Sequence, residues 1–213
     1  MTPHTLVVDL YHGDRVGDLA AVKAAGTAGI IHKAHQGASA KGSDPAYAIR
    51  RRAARKAGLL WGAYHFMTND DPAAQAAAFL ASAEPDASTL LAVDFEPYGR
   101  RTPSLDQLRV MLAAIDAKVG RKAVIYSGSL IKETLGAAAD GFLGGHRLWL
   151  AQYAEAWTLR PLTAWTRPWL WQFTGDGKGP PPHRIAGIGG PSGAVDINRY
   201  DGTPAQLAAE WAG

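Results

Sequence analysis

Asp94 and Glu96 are the pair of residues in this sequence best spaced to do chemistry together. They close the stretch Leu90-Leu-Ala-Val-Asp-Phe-Glu-Pro-Tyr98, a short apolar run bounded by turn-forming residues, which reads as a buried strand ending at Pro97. Side chains alternate along a strand, so both carboxyls face the same way, with α-carbons about 6.5 Å apart. Two buried like charges at that spacing resist joint ionisation, and one of them keeps a proton. A protonated carboxyl beside an ionised one is the equipment of acid–base catalysis and of glycosidic bond cleavage.

The flanking elements must hold this pair in place. Leu6–Tyr11 reads as a strand and Asp18–Ala25 as an Ala-rich helix with Asp18 at its N-cap. Gly29–His35 is the second strand, followed by a helix that Asp44-Pro45 opens and Gly58 ends. Leu59–Met67 is the third strand, with a helix from Asp71-Pro72 to Ala83, and the Asp94 strand comes fourth. Leu105, Leu108, Leu112 and Ile115 recur at helical spacing within Ser104–Val119, and Lys122–Gly128 is a fifth strand. Repeated strand–helix units imply parallel strands with right-handed crossovers. In the last third, Arg147–Tyr153, Pro168–Thr174 and Ala194–Tyr200 read as strands joined by short or Gly/Pro-rich segments, and Thr203–Trp211 as a closing helix. Eight strands, five with crossover helices, predict an α/β fold: an irregular, TIM-like (β/α)5β3 barrel forming one domain over residues 1–213.

Barrel chemistry gathers at the C-terminal strand ends. Asp9 falls near the end of strand one and Asp196 in strand eight, which closure makes neighbours, so Asp9, Asp94, Glu96 and Asp196 are expected to meet in one pocket. A lone Asp at a strand end is usually a turn or cap residue. Four acids in or beside apolar strand sequence are harder to account for separately. Lys33, on strand two, is a cation that could hold one of them ionised. Tyr64, Phe66, Tyr126, Tyr153, Trp171 and Phe173 fall near strand ends, where sugar rings could pack, and Gln172 and Asn198 could hydrogen-bond hydroxyls. Core packing competes for these aromatics, and with seven Trp in the chain at least half are expected inside.

Composition excludes other chemistries. No cysteine is present, so disulfides, thiolate metal sites and cysteine nucleophiles are absent. His12, His32, His35 and His65 lack metal-ligand spacing, and no metal is expected. Gly187–Gly193 lacks the spacing of a phosphate-binding loop and reads as a flexible connection, so no cofactor is expected either. The net charge of +3 is mild, and the basic run Arg50–Lys56 reads as a solvated helix face, not a nucleic-acid patch. The N-terminus has no secretory leader pattern and no apolar run is long enough for a membrane span. The expectation is a monomer made in the cytoplasm without a Sec signal, without stable membrane association, which reaches its substrate by release or dedicated export.

The chain resembles the family 25 glycoside hydrolases, the Chalaropsis-type lysozymes also found as phage endolysins. Val8-Asp9, Gly62-Ala-Tyr-His-Phe66, Asp94-Phe-Glu96, Trp149-Leu-Ala-Gln-Tyr153, Trp171-Gln172 and Val195-Asp-Ile-Asn198 carry the resemblance, which spans nearly the whole chain. Leu10-Tyr-His-Gly13 and Ala34-His-Gln-Gly37 depart from the family's usual residues in the first two loops. The resemblance implies the (β/α)5β3 barrel, and hydrolysis of the β-1,4 bond between N-acetylmuramic acid and N-acetylglucosamine in peptidoglycan. By position it implies Glu96 as general acid and then base, and Asp94 orienting the substrate's acetamido group for attack on the anomeric carbon. Asp9 and Asp196 would complete the pocket and help keep Glu96 protonated. The residues alone leave direct attack by Asp94 open. They also leave open a catalytically silent glycan-binding barrel, or a hydrolase of another N-acetylated polymer such as chitin.

Overall fold

The computed structural model describes residues 4–189 and 193–213. Among these residues eight strands close into a barrel in chain order: β1 (Thr5–Leu10), β2 (Thr27–Gln36), β3 (Leu60–Phe66), β4 (Leu90–Asp94), β5 (Val124–Ser127), β6 (Leu148–Ala151), β7 (Leu170–Thr174) and β8 (Asp196–Tyr200). Strands β1 to β7 run parallel, each to the next. β8 alone is reversed, antiparallel to both β7 and β1.

Helices α1 (Leu19–Ala24), α2 (Tyr47–Lys56), α3 (Pro72–Ala83) and α4 (Leu105–Val119) are the first four crossovers. The fifth is made of two short pieces, α5 (Ser129–Leu135) and α6 (Gly141–Gly144). Among the described residues no helix follows β6 or β7, and α7 (Pro204–Glu210) closes the chain, so the (β/α)5β3 expectation holds. Local chemistry sets the helix ends as expected: Asp18 and Asp71 cap α1 and α3, Ser104 and Gln107 form a capping box on α4, and Gly120 ends α4 at φ +72°. Of the described residues, no helix is long and apolar enough to cross a membrane.

Two apolar layers result from strand alternation. Outward-facing Val8, Ile30, Trp61, Val93, Ile125, Leu150 and Ile197 pack under the helices, against Phe79, Leu108 and Met111 among others. Inward-facing Val7, Ile31, Leu90, Ala92, Val124 and Leu170 fill the barrel. Leu207 of α7 and the adjacent Trp211 join this interior cluster, beside Tyr200 and Ala28, and plug the end where the parallel strands begin. The Trp211 indole is buried and its Nε1 donates to the Trp61 carbonyl at 2.8 Å. Trp211→Ala is expected to cost about 3–5 kcal/mol, as other buried aromatic truncations do. Urea unfolding measures it, and a loss under about 1 kcal/mol would show that the plug is dispensable.

The basic run on α2 is more than a solvated face. Arg50 donates to the carbonyls of Tyr11 and Asp14 and meets His32 Nε2, while Arg51 and Arg55 pair with Asp86. Three guanidinium groups of that run therefore tie α2 to neighbouring loops.

Candidate active site

Glu96 stands just past its strand. β4 ends at Asp94, earlier than the sequence predicts, because its neighbours β3 and β5 end at Phe66 and Ser127, and the last main-chain groups find other partners. Met67 donates its N–H to the Asp94 carbonyl, Phe95 donates to the Tyr126 carbonyl, and Ser127 Oγ donates to the Phe95 carbonyl. Pro97 has no N–H with which to extend the ladder. Phe95 is buried in the outer layer, and Asp94 and Glu96 on either side of it both line the barrel mouth.

Reversal of β8 brings Asp196 to the same mouth. It is the first residue of its strand, and in an antiparallel β8 that position lies level with the C-terminal ends of the others. Asp196 pairs directly with Asp9 in the ladder. A cavity of about 220 Å³ holds all four acids and Lys33, with Tyr64, Phe66, Tyr126 and Trp149 forming its remaining wall.

Asp9 is anchored from behind. Its Oδ2 accepts hydrogen bonds from Gln172 Nε2 at 2.9 Å and Asn198 Nδ2 at 2.8 Å. Tyr126 donates its hydroxyl to Gln172 Oε1 at 2.8 Å, and Trp149 Nε1 donates to Asn198 Oδ1 at 2.6 Å. Both amides are thus fixed in orientation by what they accept, and Asn198 Nδ2 donates its second hydrogen to the Val7 carbonyl at 3.1 Å. Asp94 differs: its Oδ1 is buried and has no hydrogen-bond partner among the described residues. A buried carboxyl oxygen without a partner is costly and ready for a donor from a ligand.

Burial dominates the electrostatics. It pushes Asp9 well above the usual carboxylate range, and Asp196 adds to the shift against the two amide donors. Asp94 is also raised well above it, by burial and then by Glu96, with Lys33 opposing. Glu96 is raised by burial and then by the charge of Asp176. Asp196 is pushed up to about 6 by burial, with the charges of Asp176, Asp14 and Glu96 adding and the Asp176 N–H opposing at 2.9 Å from Oδ1. Four carboxyls in one pocket retain protons that exposed carboxyls release.

A stability slope follows from Asp196. Its ordinary value is 3.8 and its folded value about 6, so between these pH values the folded chain holds a proton that the unfolded chain gives up. Stability from this group is therefore full below about pH 4 and falls as pH rises to about 6, by about 2 kcal/mol once partial exposure is allowed for. Asp196→Asn is expected to remove that portion of the slope and to be more stable than the parent at pH 7. Denaturant midpoints at pH 4 and 7 test this, and an identical pH slope in parent and variant would refute it.

The predicted site residues separate into three groups. Asp9, Lys33, Tyr64, Phe66, Asp94, Glu96, Tyr126 and Asp196 meet in the cavity; Tyr153 is not part of its lining but lies near enough to Asp196 that burial and then that charge hold its hydroxyl proton more tightly. Gln172 and Asn198 do not line the cavity: both are fully buried behind Asp9 and position it. Trp171 and Phe173 face away altogether. Parity puts Gln172 inward and its two neighbours outward, where they pack in the outer layer under the Arg199 guanidinium, 3.7 Å from the Phe173 ring centroid. His32 stacks on Trp61 and His35 on His65, all outside the barrel wall. The Gly187–Gly193 connection lies partly outside the described residues.

Three participants were missed in the sequence. Trp149 belongs to a family-like fragment, yet only inward parity gives it a place in the wall. Asp14 and Asp176 sit in loops with no strand pattern to mark them. A two-residue ladder between Arg15–Val16 and Ile188–Gly189 ties the segment after β1 to the connection that follows β7. Asp176 adopts φ +52°, the left-handed conformation Asp tolerates, and so aims its N–H at Asp196.

The barrel has known counterparts. The family model for glycosyl hydrolases family 25 matches residues 8–180. The chain belongs to glycosyl hydrolases family 25. Lysozyme M1 of Streptomyces globisporus is 27% identical over 95% of this chain and 69% of its own length. The uncharacterized protein YegX of Escherichia coli K12 is 30% identical over 78% of this chain, and the match spans 57% of YegX. Among solved structures, the bacterial lysozyme of Streptomyces coelicolor superposes with a TM-score of 0.82 at 26% identity, covering 98% of this chain and 97% of that one. Every one of the four acids in this family 25 chain falls on a strand or loop of the shared barrel.

Proposed function

We propose that this chain is an N-acetylmuramidase, a lysozyme that hydrolyses the β-1,4 bond between N-acetylmuramic acid and N-acetylglucosamine in peptidoglycan. Glu96, whose proton is held more tightly by burial and then by the charge of Asp176, donates it to the leaving glycosidic oxygen as the bond from the anomeric carbon breaks. Asp94 takes the acetamido N–H of the sugar on its unpartnered Oδ1, turning the carbonyl oxygen toward the anomeric carbon. That oxygen closes a ring on the carbon, and Glu96, now ionised, takes a proton from the water that reopens it, with net retention. Asp9 and Asp196 complete the acidic wall.

One observation carries the proposal: Glu96 and a buried Asp94 with an unused oxygen share one cavity. The proposed partner is the glycan strand, and the proposed place of action is the cell wall. Mass spectrometry of fragments released from purified sacculi is expected to find new N-acetylmuramic acid reducing ends. New N-acetylglucosamine ends would assign a different bond. Retained binding to sacculi without any release would leave a glycan-binding barrel, and faster release from chitin would move the substrate class.

A further inference from the structure

A second cavity of about 320 Å³ adjoins the acidic one, and Lys33 lines both. Its other cations are Lys41 and Arg101, and its acid is Asp44. Asp44 is already engaged: its carboxyl accepts the N–H groups of His12 and Ala46 and faces the His12 ring at 3.0 Å. Arg101 is engaged too, paired with Asp70 at 2.7 Å. Lys33 donates to Gln36, a neutral amide, and among the described residues neither Lys33 nor Lys41 forms an ion pair. Two ammonium charges are left for a ligand.

The loop that carries this cavity is tied down on every side. Gly37 donates its N–H to the Phe66 carbonyl, Ala38 to Asp70, Gly42 to the Ser39 carbonyl and Asp44 to the Ala34 carbonyl. A polar pocket on rigid backbone binds without an ordering cost. Its sign is opposite to that of the neighbouring cavity, so a sugar whose neutral ring carries an acidic arm fits the two together.

We propose that this basic cavity is a carboxylate subsite which receives the peptide stem of muramic acid, with Lys41 and Lys33 as its anion-binding groups. The proposal rests on the muramidase assignment above. Muramic acid carries its lactyl-linked stem on the ring carbon next to the acetamido carbon, and the acetamido group is the one assigned to Asp94. Lys33 lines both the cavity that holds Asp94 and the basic one, so a stem on the carbon next to the acetamido carbon has a route out of the acidic cavity past Lys33. An N-acetylglucosamine polymer has only a hydroxyl at that carbon and leaves the basic cavity empty.

The test uses Glu96→Gln protein, so that binding is read without turnover. Calorimetry compares a disaccharide-tetrapeptide, the same disaccharide stripped of its peptide but keeping the lactyl carboxylate, and N,N′-diacetylchitobiose. Adding Lys41→Glu is expected to weaken the peptide-bearing ligand by about tenfold or more, with the diacetylchitobiose affinity as the control for the acidic cavity. Lys41 is exposed on its loop, so the variant folds. Gln36→Glu, which places a carboxylate beside Lys33, is expected to weaken the same ligand. Unchanged affinity for the tetrapeptide ligand in both variants would overturn the proposal. An equal loss for the peptide-free disaccharide would also overturn it, because the lactyl carboxylate would then be the occupant. Failure of the muramidase assignment reads out separately, as the absence of new reducing ends when the parent protein meets sacculi.

Discussion

Glu96→Gln is expected to fold as the parent does and to release glycan fragments at least about a thousandfold more slowly, within the range a positioned acid contributes. The amide fills the same space but cannot give a proton to the leaving oxygen. The parent's activity should follow the same group: it falls as pH rises through the elevated Glu96 value, because the catalytic form is the protonated one, whereas an ordinary glutamate would already be spent at lower pH. Asp176→Asn removes the nearby charge that helps hold that proton, so its alkaline limb should move to lower pH with little loss at the optimum. Rates of reducing-end release across pH test both. A Glu96→Gln rate within tenfold of the parent would remove Glu96 from the chemistry.

Asp94→Asn carries the second large effect, a fall of about a hundred- to ten-thousandfold in kcat. In the proposed mechanism the carboxylate orients an amide and balances positive charge developing at the anomeric carbon; Asn can still hydrogen-bond but brings no charge. Stability should move the opposite way. Burial raises Asp94 well above the usual carboxylate range, so the ionised form is costly in the fold, and a neutral isostere is expected to raise Tm at pH 7. Loss of rate combined with a gain in Tm distinguishes a catalytic acid from one that merely supports the barrel. Substrates lacking the N-acetyl group separate assistance by the acetamide from direct attack. Under assistance, the loss caused by Asp94→Asn is much smaller on these substrates than on acetylated ones, and a sugar adduct trapped on Asp94 would replace assistance with direct attack.

How far the sequence reached can be judged from β4 and β7. In both, a strand-length apolar run bounded by turn residues marks the element, and period-two alternation groups Asp94 with Glu96 and separates Gln172 from Trp171 and Phe173. Alternation says which residues share a face, but not which face is the interior. At β7 both sets are apolar enough to be buried, and the aromatics went outward under the Arg199 guanidinium while the polar Gln172 went in, drawn to the carboxyl of Asp9. Strand count, the five crossovers and the convergence of Asp9, Asp94 and Asp196 were legible because each sits in a patterned segment.

The sequence by itself determined the barrel, its order of elements and the acids at its mouth, since these follow from local patterns of apolar residues, caps and turns. Tertiary structure alone decided the rest. The direction of β8 is set by its pairing with β7 and β1, which no residue within β8 records, and that reversal is what brings Asp196, the first residue of its strand, to the mouth with the other acids. Asp14 and Asp176 act through space on groups far away in the chain, and a Coulomb interaction of that kind depends only on where folding puts the charges.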